Sequence, residues 1–171
     1  DIMGLVSHTN NLSHNTTMIN KYIIEICSRK IQHFHPFSAI KVKINGDRRS
    51  LHHWTLAGKI NRSNLPSKDI SVENIVIDKP YFILISDYYS IICHRLSSIS
   101  TNNIDIFRVK PIISSWTNTY HDLMTKSVDQ VQVIPIELRV SSGFYVRMLS
   151  YYLFEDYGIE SHIFDIHRIF T

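Results

Sequence analysis

A strand-like segment that leads directly into a helical pattern is the feature that most constrains this fold. Residues 131–138 are rich in β-branched side chains and contain one proline, which predicts a strand with an irregular or edge position. From about Gly143 onward apolar residues recur every four positions, and Gly158 offers a C-terminal stop. Ser141 and Ser142 carry hydroxyl oxygens that can cap the first turn. We therefore predict a strand followed by a serine-capped helix.

Tyr145 and Arg147 fall in the first turns of that predicted helix. Taken singly, Arg147 is typical of a solvated helix arginine, and Tyr145 is typical of an aromatic residue in the core. Their joint occurrence directly after a Ser-Ser-Gly sequence makes this pair the candidate site.

The first half of the chain predicts a helix, a hairpin and further short elements. Residues 16–30 are amphipathic, with three isoleucines on one stripe, and predict a helix. The Asn45-Gly46 pair predicts a hairpin turn between two short basic strands. The other segments before residue 79 predict a loop running into a strand (residues 32–42), a short helix (50–59) and a strand (70–77).

Residues 79–130 predict an insertion, because polar stretches separate apolar runs there without any chemical motif. We interpret the runs at 81–92 and 104–113 as strand-like. The chain as a whole predicts one domain, residues 1–171, of the α+β class. Its expected architecture is a mixed, mainly antiparallel sheet flanked by helices, with the insertion at its edge.

Composition and charge narrow the class of protein. The chain is 44% hydrophobic and 19% charged, which is ordinary for a globular protein, and its net charge of +3 permits an RNA partner. Cys27 and Cys93 form no CxxC pair, which favours a reducing compartment over a disulfide framework. Histidines are abundant but lack the spacing of a metal site. We expect no metal, no cofactor and no membrane span.

Three blocks of sequence carry a resemblance to a known family. The first runs from Gln32 to Val42 as Gln-His-Phe-His-Pro-Phe-Ser-Ala-Ile-Lys-Val, followed by an Asn-Gly-x-Arg turn, and the second is Ile-Ser-Val at residues 70–72. The third is Ser-Gly-Phe-Tyr-Val-Arg at 142–147, with residues 161–168 at the C-terminal end of the pattern. Their order and spacing resemble the TruB-type tRNA pseudouridine synthases, whose first block reads Gln-x-Pro-Pro-x-Tyr-Ser-Ala-x-Lys-Val. An Asp1-x-x-Gly4 loop also matches, and the large insertion is more typical of eukaryotic members.

The resemblance implies a role for each matching residue. Arg147 would pair with the catalytic carboxylate and hold it ionised, while Tyr145 would line the uracil pocket with Ile166 on its wall. Contacts with RNA or substrate are implied for Ser38, Lys41, Arg48 and Arg168. The implied partner is tRNA, at its T arm, or rRNA.

One expected motif is missing from the chain. The family nucleophile is an aspartate in a Gly-x-x-Asp motif upstream of the first block, and none of the 171 residues matches it, since Asp1 lies too close to Gln32. One hypothesis is a pseudouridine synthase domain whose aspartate lies outside these residues. Another is an inactive RNA-binding protein, such as a component or assembly factor of a mitochondrial ribosome. A third is a structural α+β domain that binds only protein.

Overall fold

The computed structural model describes residues 15–99 and 109–169, so the Asp1-x-x-Gly4 match lies outside the described residues. The helices are α1 (Thr16–Cys27), α2 (Leu51–Leu56), α3 (Ile85–Ser97), α4 (Val109–Thr125) and α5 (Met148–Tyr157). The strands are β1 (Ile31–His33), β2 (Lys41–Ile44), β3 (Asp47–Ser50), β4 (Ser67–Asp69), β5 (Val72–Ile77), β6 (Tyr81–Leu84), β7 (Gln130–Val133) and β8 (Ile136–Val140).

The predicted α+β class is confirmed: short antiparallel strands are flanked by helices. Within the described residues the strands form four two-stranded ladders, which pair β1 with β4, β2 with β3, β5 with β8 and β6 with β7. The resemblance to the pseudouridine synthase fold remains a prediction.

Helix α1 begins where the amphipathic pattern predicts and ends earlier. Asn15 caps it by accepting a hydrogen bond from the Thr17 backbone nitrogen at 2.8 Å. The isoleucine stripe is buried as predicted. The helix ends at Cys27 instead of residue 30, where the Ser28 hydroxyl donates to the Glu25 carbonyl oxygen.

The predicted hairpin is confirmed between β2 and β3. Asn45 and Gly46 both have positive φ, 51° and 89°, as a two-residue turn of this kind requires. One side of the hairpin packs on α2, where the Trp54 indole nitrogen donates to the Val42 carbonyl oxygen at 2.9 Å. This side closes a small core of Leu51, Trp54, Ile60 and Leu65.

The segment predicted as one strand at residues 131–138 is two strands with different partners. Strand β7 pairs with β6, and β8 pairs with β5. Pro135 has no backbone N–H to donate, so the ladder is interrupted there, although its carbonyl oxygen accepts from the Asp78 nitrogen at 3.0 Å. The two ladders therefore follow one another along the chain, joined at this proline.

The strand-like interpretation of the runs at 81–92 and 104–113 is wrong for most of their length. The first run is a strand only as far as Leu84, and residues 85–97 form α3, because Ile85, Tyr88, Ile92 and Leu96 recur at helical spacing. Residues 104–108 lie outside the described residues, and residues 109–113 belong to α4. We call β6, α3, α4 and β7 the helical unit. A separate apolar cluster joins α3 to α4.

The predicted start of the last helix near Gly143 is also wrong. Helix α5 begins at Met148, and two tight turns occupy residues 141–147. Ser141 does not cap the helix, because its hydroxyl accepts from the Ser71 backbone nitrogen at 2.9 Å and holds β8 to the start of β5. The predicted stop at Gly158 is confirmed by its φ of 67°. Helices α1 and α5 pack together over the largest core cluster.

Candidate functional site

The side chain of Gln32 links the first sequence block to the third. Its Oε1 accepts from the Tyr145 backbone nitrogen at 2.7 Å, and its Nε2 donates to the Tyr145 carbonyl oxygen at 3.3 Å. Gln32 is only 5% exposed, so these bonds also satisfy its own buried amide. Next to it, the His33 backbone nitrogen donates to the Tyr152 hydroxyl at 3.0 Å. Strand β1 is thereby joined to the turn that carries Tyr145 and to helix α5.

Arg147 and Tyr145 are in contact. The Arg147 guanidinium donates through Nη2 to the Tyr145 hydroxyl, and its carbon Cζ lies 4.6 Å from the centre of the tyrosine ring. Both side chains are half-buried. Because α5 starts one residue later, Arg147 stands at the N-terminal end of the helix instead of within it.

Arg168 brings a second positive charge to this pair. Burial lowers the pKa of Arg147, and the nearby Arg168 lowers it further. Burial raises the pKa of Tyr145, while Arg168 opposes that rise. Arg147 is half-buried and Arg168 is exposed. Two guanidinium groups that repel each other favour an anionic ligand, because an anion offsets the repulsion. We call Tyr145, Arg147 and Arg168 the arginine site.

The carboxylate that the family resemblance expects beside Arg147 is not found in the described residues. None of the ion pairs described for residues 15–99 and 109–169 includes Arg147. The only polar side chain that it is seen to contact there is Tyr145. The arrangement can therefore bind and orient an anion, and it holds no nucleophile of its own.

Ser38, Lys41 and Arg48 lie on and beside the β2–β3 hairpin. Ser38 is buried, and its hydroxyl accepts from the Ile40 nitrogen at 3.2 Å while its carbonyl oxygen accepts from the His52 nitrogen at 3.1 Å. It braces the base of the hairpin. Lys41 and Arg48 are exposed, so their side chains are accessible to a partner.

The hairpin presents one face that carries only cations and a serine. Lys43 stands directly opposite Arg48 in the register, and Lys41 stands opposite Ser50. Side chains alternate along a strand, so these four point away from the side that packs on α2. Like charges placed directly across a ladder destabilise it, and no described ion pair relieves them. We call Lys41, Lys43 and Arg48 the cationic face.

Ile166 lies in the C-terminal segment, near Arg168 in sequence. It is half-buried, and its backbone nitrogen donates to the Asp165 side chain at 2.9 Å. The structure gives no contact between Ile166 and Tyr145, so its place on the wall of a uracil pocket stays a prediction.

Sequence reasoning missed three residues that shape the site. Gln32 was part of a motif but was given no role, and it is the one buried residue of β1, between the exposed Ile31 and His33. Lys43 was missed, although the alternation of the hairpin places it with Lys41. Gly143 has a φ of 86°, and the Lys68 amine, which donates to the Ser142 carbonyl oxygen at 2.7 Å, occupies the space where a side chain would begin.

Several other kinds of site are not seen in the described part of the chain. No group of three or more His, Cys, Asp or Glu side chains is arranged to hold a metal ion in residues 15–99 and 109–169. Among those same residues, none of the helices combines the length and the apolar character needed to cross a membrane. Cys27 and Cys93 are free thiols, and burial raises the pKa of Cys27 to about 11, which leaves it a poor nucleophile.

Comparison with family models, with curated proteins and with solved structures finds no match to this chain.

Proposed function

We propose that this chain is the RNA-binding domain of a TruB-like tRNA pseudouridine synthase, with its nucleophilic aspartate outside these residues. The observation that carries the proposal is the pair of hydrogen bonds from Gln32 to the backbone of Tyr145. They bring together two motif blocks that lie 113 residues apart in the sequence. Each block resembles the family only weakly by itself, so the contact between them supports a shared site.

The cationic face suits the phosphate backbone of a folded RNA. Its three side chains are exposed and lack acidic partners among the described residues, so binding phosphates would offset their mutual repulsion. A net charge of +3 for the whole chain is modest, so this local concentration of charge matters more than the total. The implied partner is a tRNA T arm or a structured rRNA, in the manner of a ribonucleoprotein.

The arginine site suits the place where a uridine leaves its stack. Leaving the stack costs a few kcal/mol, which aromatic contact and cations near the phosphates can offset. Isomerisation then requires the glycosidic bond to nitrogen to break, the uracil ring to rotate, and a bond from carbon to the sugar to form, with loss of the proton on that carbon. Arg147 would hold the incoming carboxylate ionised, and Tyr145 would contact the uracil.

A second candidate function is an inactive RNA-binding protein, such as a component or assembly factor of a mitochondrial ribosome. It is favoured by the absence of a Gly-x-x-Asp motif and by the contact of Arg147 with the Tyr145 hydroxyl in place of a carboxylate. In this case the arginine site would bind RNA without reaction.

The experiment measures two quantities on the same RNA, a T-arm stem-loop with tritium on the uracil carbon that forms the new bond. The first is the affinity of the chain for this uridine RNA, compared with its affinity for a stem-loop that carries cytidine at the target position. The second is the tritium released by the complete gene product. We expect the chain to bind the uridine RNA more tightly. Release of tritium supports the synthase, binding without release supports the inactive protein, and no binding of either RNA contradicts both.

A further inference from the structure

The C-terminal segment, residues 161–168, has neither helix nor strand, yet side chains of the helical unit hold it firmly. Tyr88 of α3 donates from its hydroxyl to Nε2 of His162. The direction of this bond follows from the other ring nitrogen, because Nδ1 lies 3.0 Å from the Ile163 carbonyl oxygen, which can only accept. Trp116 of α4 adds an edge contact to the His162 ring at 5.2 Å.

Arg95 of α3 makes a second attachment two residues further along. Its Nη1 donates to the Phe164 carbonyl oxygen at 2.6 Å, and its Nη2 donates to the Asp165 carboxylate at 3.3 Å. Its guanidinium carbon also lies 4.9 Å from the centre of the Phe164 ring. Tyr88 stacks on the same ring at 5.4 Å. The helical unit therefore contacts the segment at the Phe164 carbonyl, at the Asp165 carboxylate and at the Phe164 ring.

This segment ends in Arg168, the residue whose charge acts on Tyr145 and Arg147. Only two residues separate Asp165 from Arg168, and three residue steps span at most about 10 Å when fully extended. Fixing Asp165 thus keeps the backbone of Arg168 within about 10 Å of the attachment. Arg168 is exposed, so release of the attachment would let it move away from its like-charged neighbour Arg147.

We infer that Arg95 and Tyr88 are positioning residues, and that the helical unit serves to clamp the C-terminal segment so that Arg168 contributes to RNA binding. This inference rests on the proposed function for its RNA readout. Neither the sequence of the helical unit nor the family resemblance indicates this role. The ligand of the positioned Arg168 is a phosphate of the bound RNA.

The test compares Arg95→Gln, Arg168→Gln and the double variant in binding the uridine stem-loop across a range of salt concentrations. Lys110→Gln is the matched control, since Lys110 is an exposed cation of the same helical unit with none of these contacts. We expect Arg95→Gln to cause the same fold-loss of affinity as Arg168→Gln. Each should reduce the slope of log affinity against log salt by about 0.7 to 1, the share of one phosphate contact. The double variant should lose no more than either single one.

Losses that add in the double variant, or an Arg95→Gln variant that binds like Lys110→Gln, would overturn the inference. Hydrogen exchange of the amides in residues 162–168, measured without RNA, separates the clamp from the proposed function. Arg95→Gln should speed their exchange, and Tyr88→Phe, which keeps the ring, should do so more weakly. If the unaltered chain binds no RNA, the proposed function fails, whereas unchanged exchange in both variants removes the clamp whatever the RNA result.

Discussion

The Gln32 side chain forms hydrogen bonds with both backbone groups of Tyr145, at 2.7 Å to its nitrogen and at 3.3 Å to its carbonyl oxygen. The turn between β8 and α5 has no ladder to satisfy its backbone, so a buried amide takes the place of a neighbouring strand. Tyr145 is thereby held against β1, and Arg147 follows two residues later with its guanidinium over the tyrosine ring. Within the arginine site, this side chain therefore helps to hold Tyr145 and Arg147 in place.

Replacing Gln32 by alanine should destabilise the protein and loosen the arginine site. The change leaves the Tyr145 N–H without its partner, which costs about 1 to 3 kcal/mol, whereas the Tyr145 carbonyl oxygen keeps its bond from the Met148 nitrogen at 2.9 Å. Gln132→Ala is the matched control, because Gln132 is exposed and makes a single bond to the Thr16 hydroxyl at 2.9 Å. The measurement is the free energy of unfolding in urea. Equal losses for the two variants would show that Gln32 has no special role.

Replacing Gly143 by alanine should also destabilise the protein, for two separable reasons. Its φ of 86° is strained for any other residue, at a cost of about 1 to 3 kcal/mol, and the new Cβ would lie 2.0 Å from the Lys68 amine. Gly58→Ala controls for the first reason alone, since Gly58 has a φ of 66° with no atom near its Cβ position. In thermal unfolding, the Tm of Gly143→Ala should be lower than the Tm of Gly58→Ala. A Lys68→Ala background should remove that difference, and its persistence would argue against the contact.

The sequence predicted the local elements better than the way in which they meet. The hairpin at Asn45-Gly46 and the stop at Gly158 follow from backbone preferences that act within a few residues. The break at Pro135 was visible as an irregular strand position, but the change of partner from β6 to β5 depends on a ladder formed with residues far away in sequence. Local patterns carry no information about such pairing.

The arginine site shows the same division. Tyr145 and Arg147 were identified from one short block, and Arg168 from another, because each matched a motif. The serines before Gly143 were expected to cap a helix, whereas Ser141 binds the start of β5 instead. The tertiary contact with Ser71 competes with the helix cap for the Ser141 hydroxyl. Gln32 and the clamp at Arg95 were missed because their partners lie 113 and about 70 residues away.

Stability should fall as the pH is lowered below about 6.5, the ordinary pKa of histidine. Burial lowers the pKa of His162, and also that of His35, so the folded state resists a proton that the unfolded chain accepts. Above that pH both histidines are neutral in the folded and in the unfolded state, so they do not change the free energy of unfolding there. As the pH falls, the unfolded state is favoured until the lowered pKa of the folded state is reached.

His162→Gln should weaken this pH dependence. The measurement is the urea midpoint of unfolding, compared at one pH above about 6.5 and at one pH below it. His94→Gln is the control, because His94 is exposed on α3. A His162→Gln protein with the same pH dependence as the unaltered chain would show that this histidine does not drive the effect.

Replacing Arg147 by alanine should separate the two candidate functions. If the complete gene product is a synthase, the change should abolish tritium release, because the carboxylate loses the cation that holds it ionised. If the domain is inactive, RNA binding should stay within a few-fold. Arg139→Ala serves as control, since Arg139 is an exposed arginine of β8. Parallel loss of binding and folding would identify Arg147 as a structural residue.

The central claim is that the cationic face binds RNA, and the salt dependence of RNA binding tests it most directly. The variant to be measured has Lys41, Lys43 and Arg48 all changed to glutamine. Its charge-matched control changes Lys21, Lys79 and Lys110, which are exposed elsewhere on the chain. Each phosphate contact contributes about 0.7 to 0.9 to the slope of log affinity against log salt, so losing three should reduce the slope by about 2 or more. The control should keep the slope of the unaltered chain. Equal slopes for all three proteins, or no binding that responds to salt, would contradict RNA recognition by the cationic face.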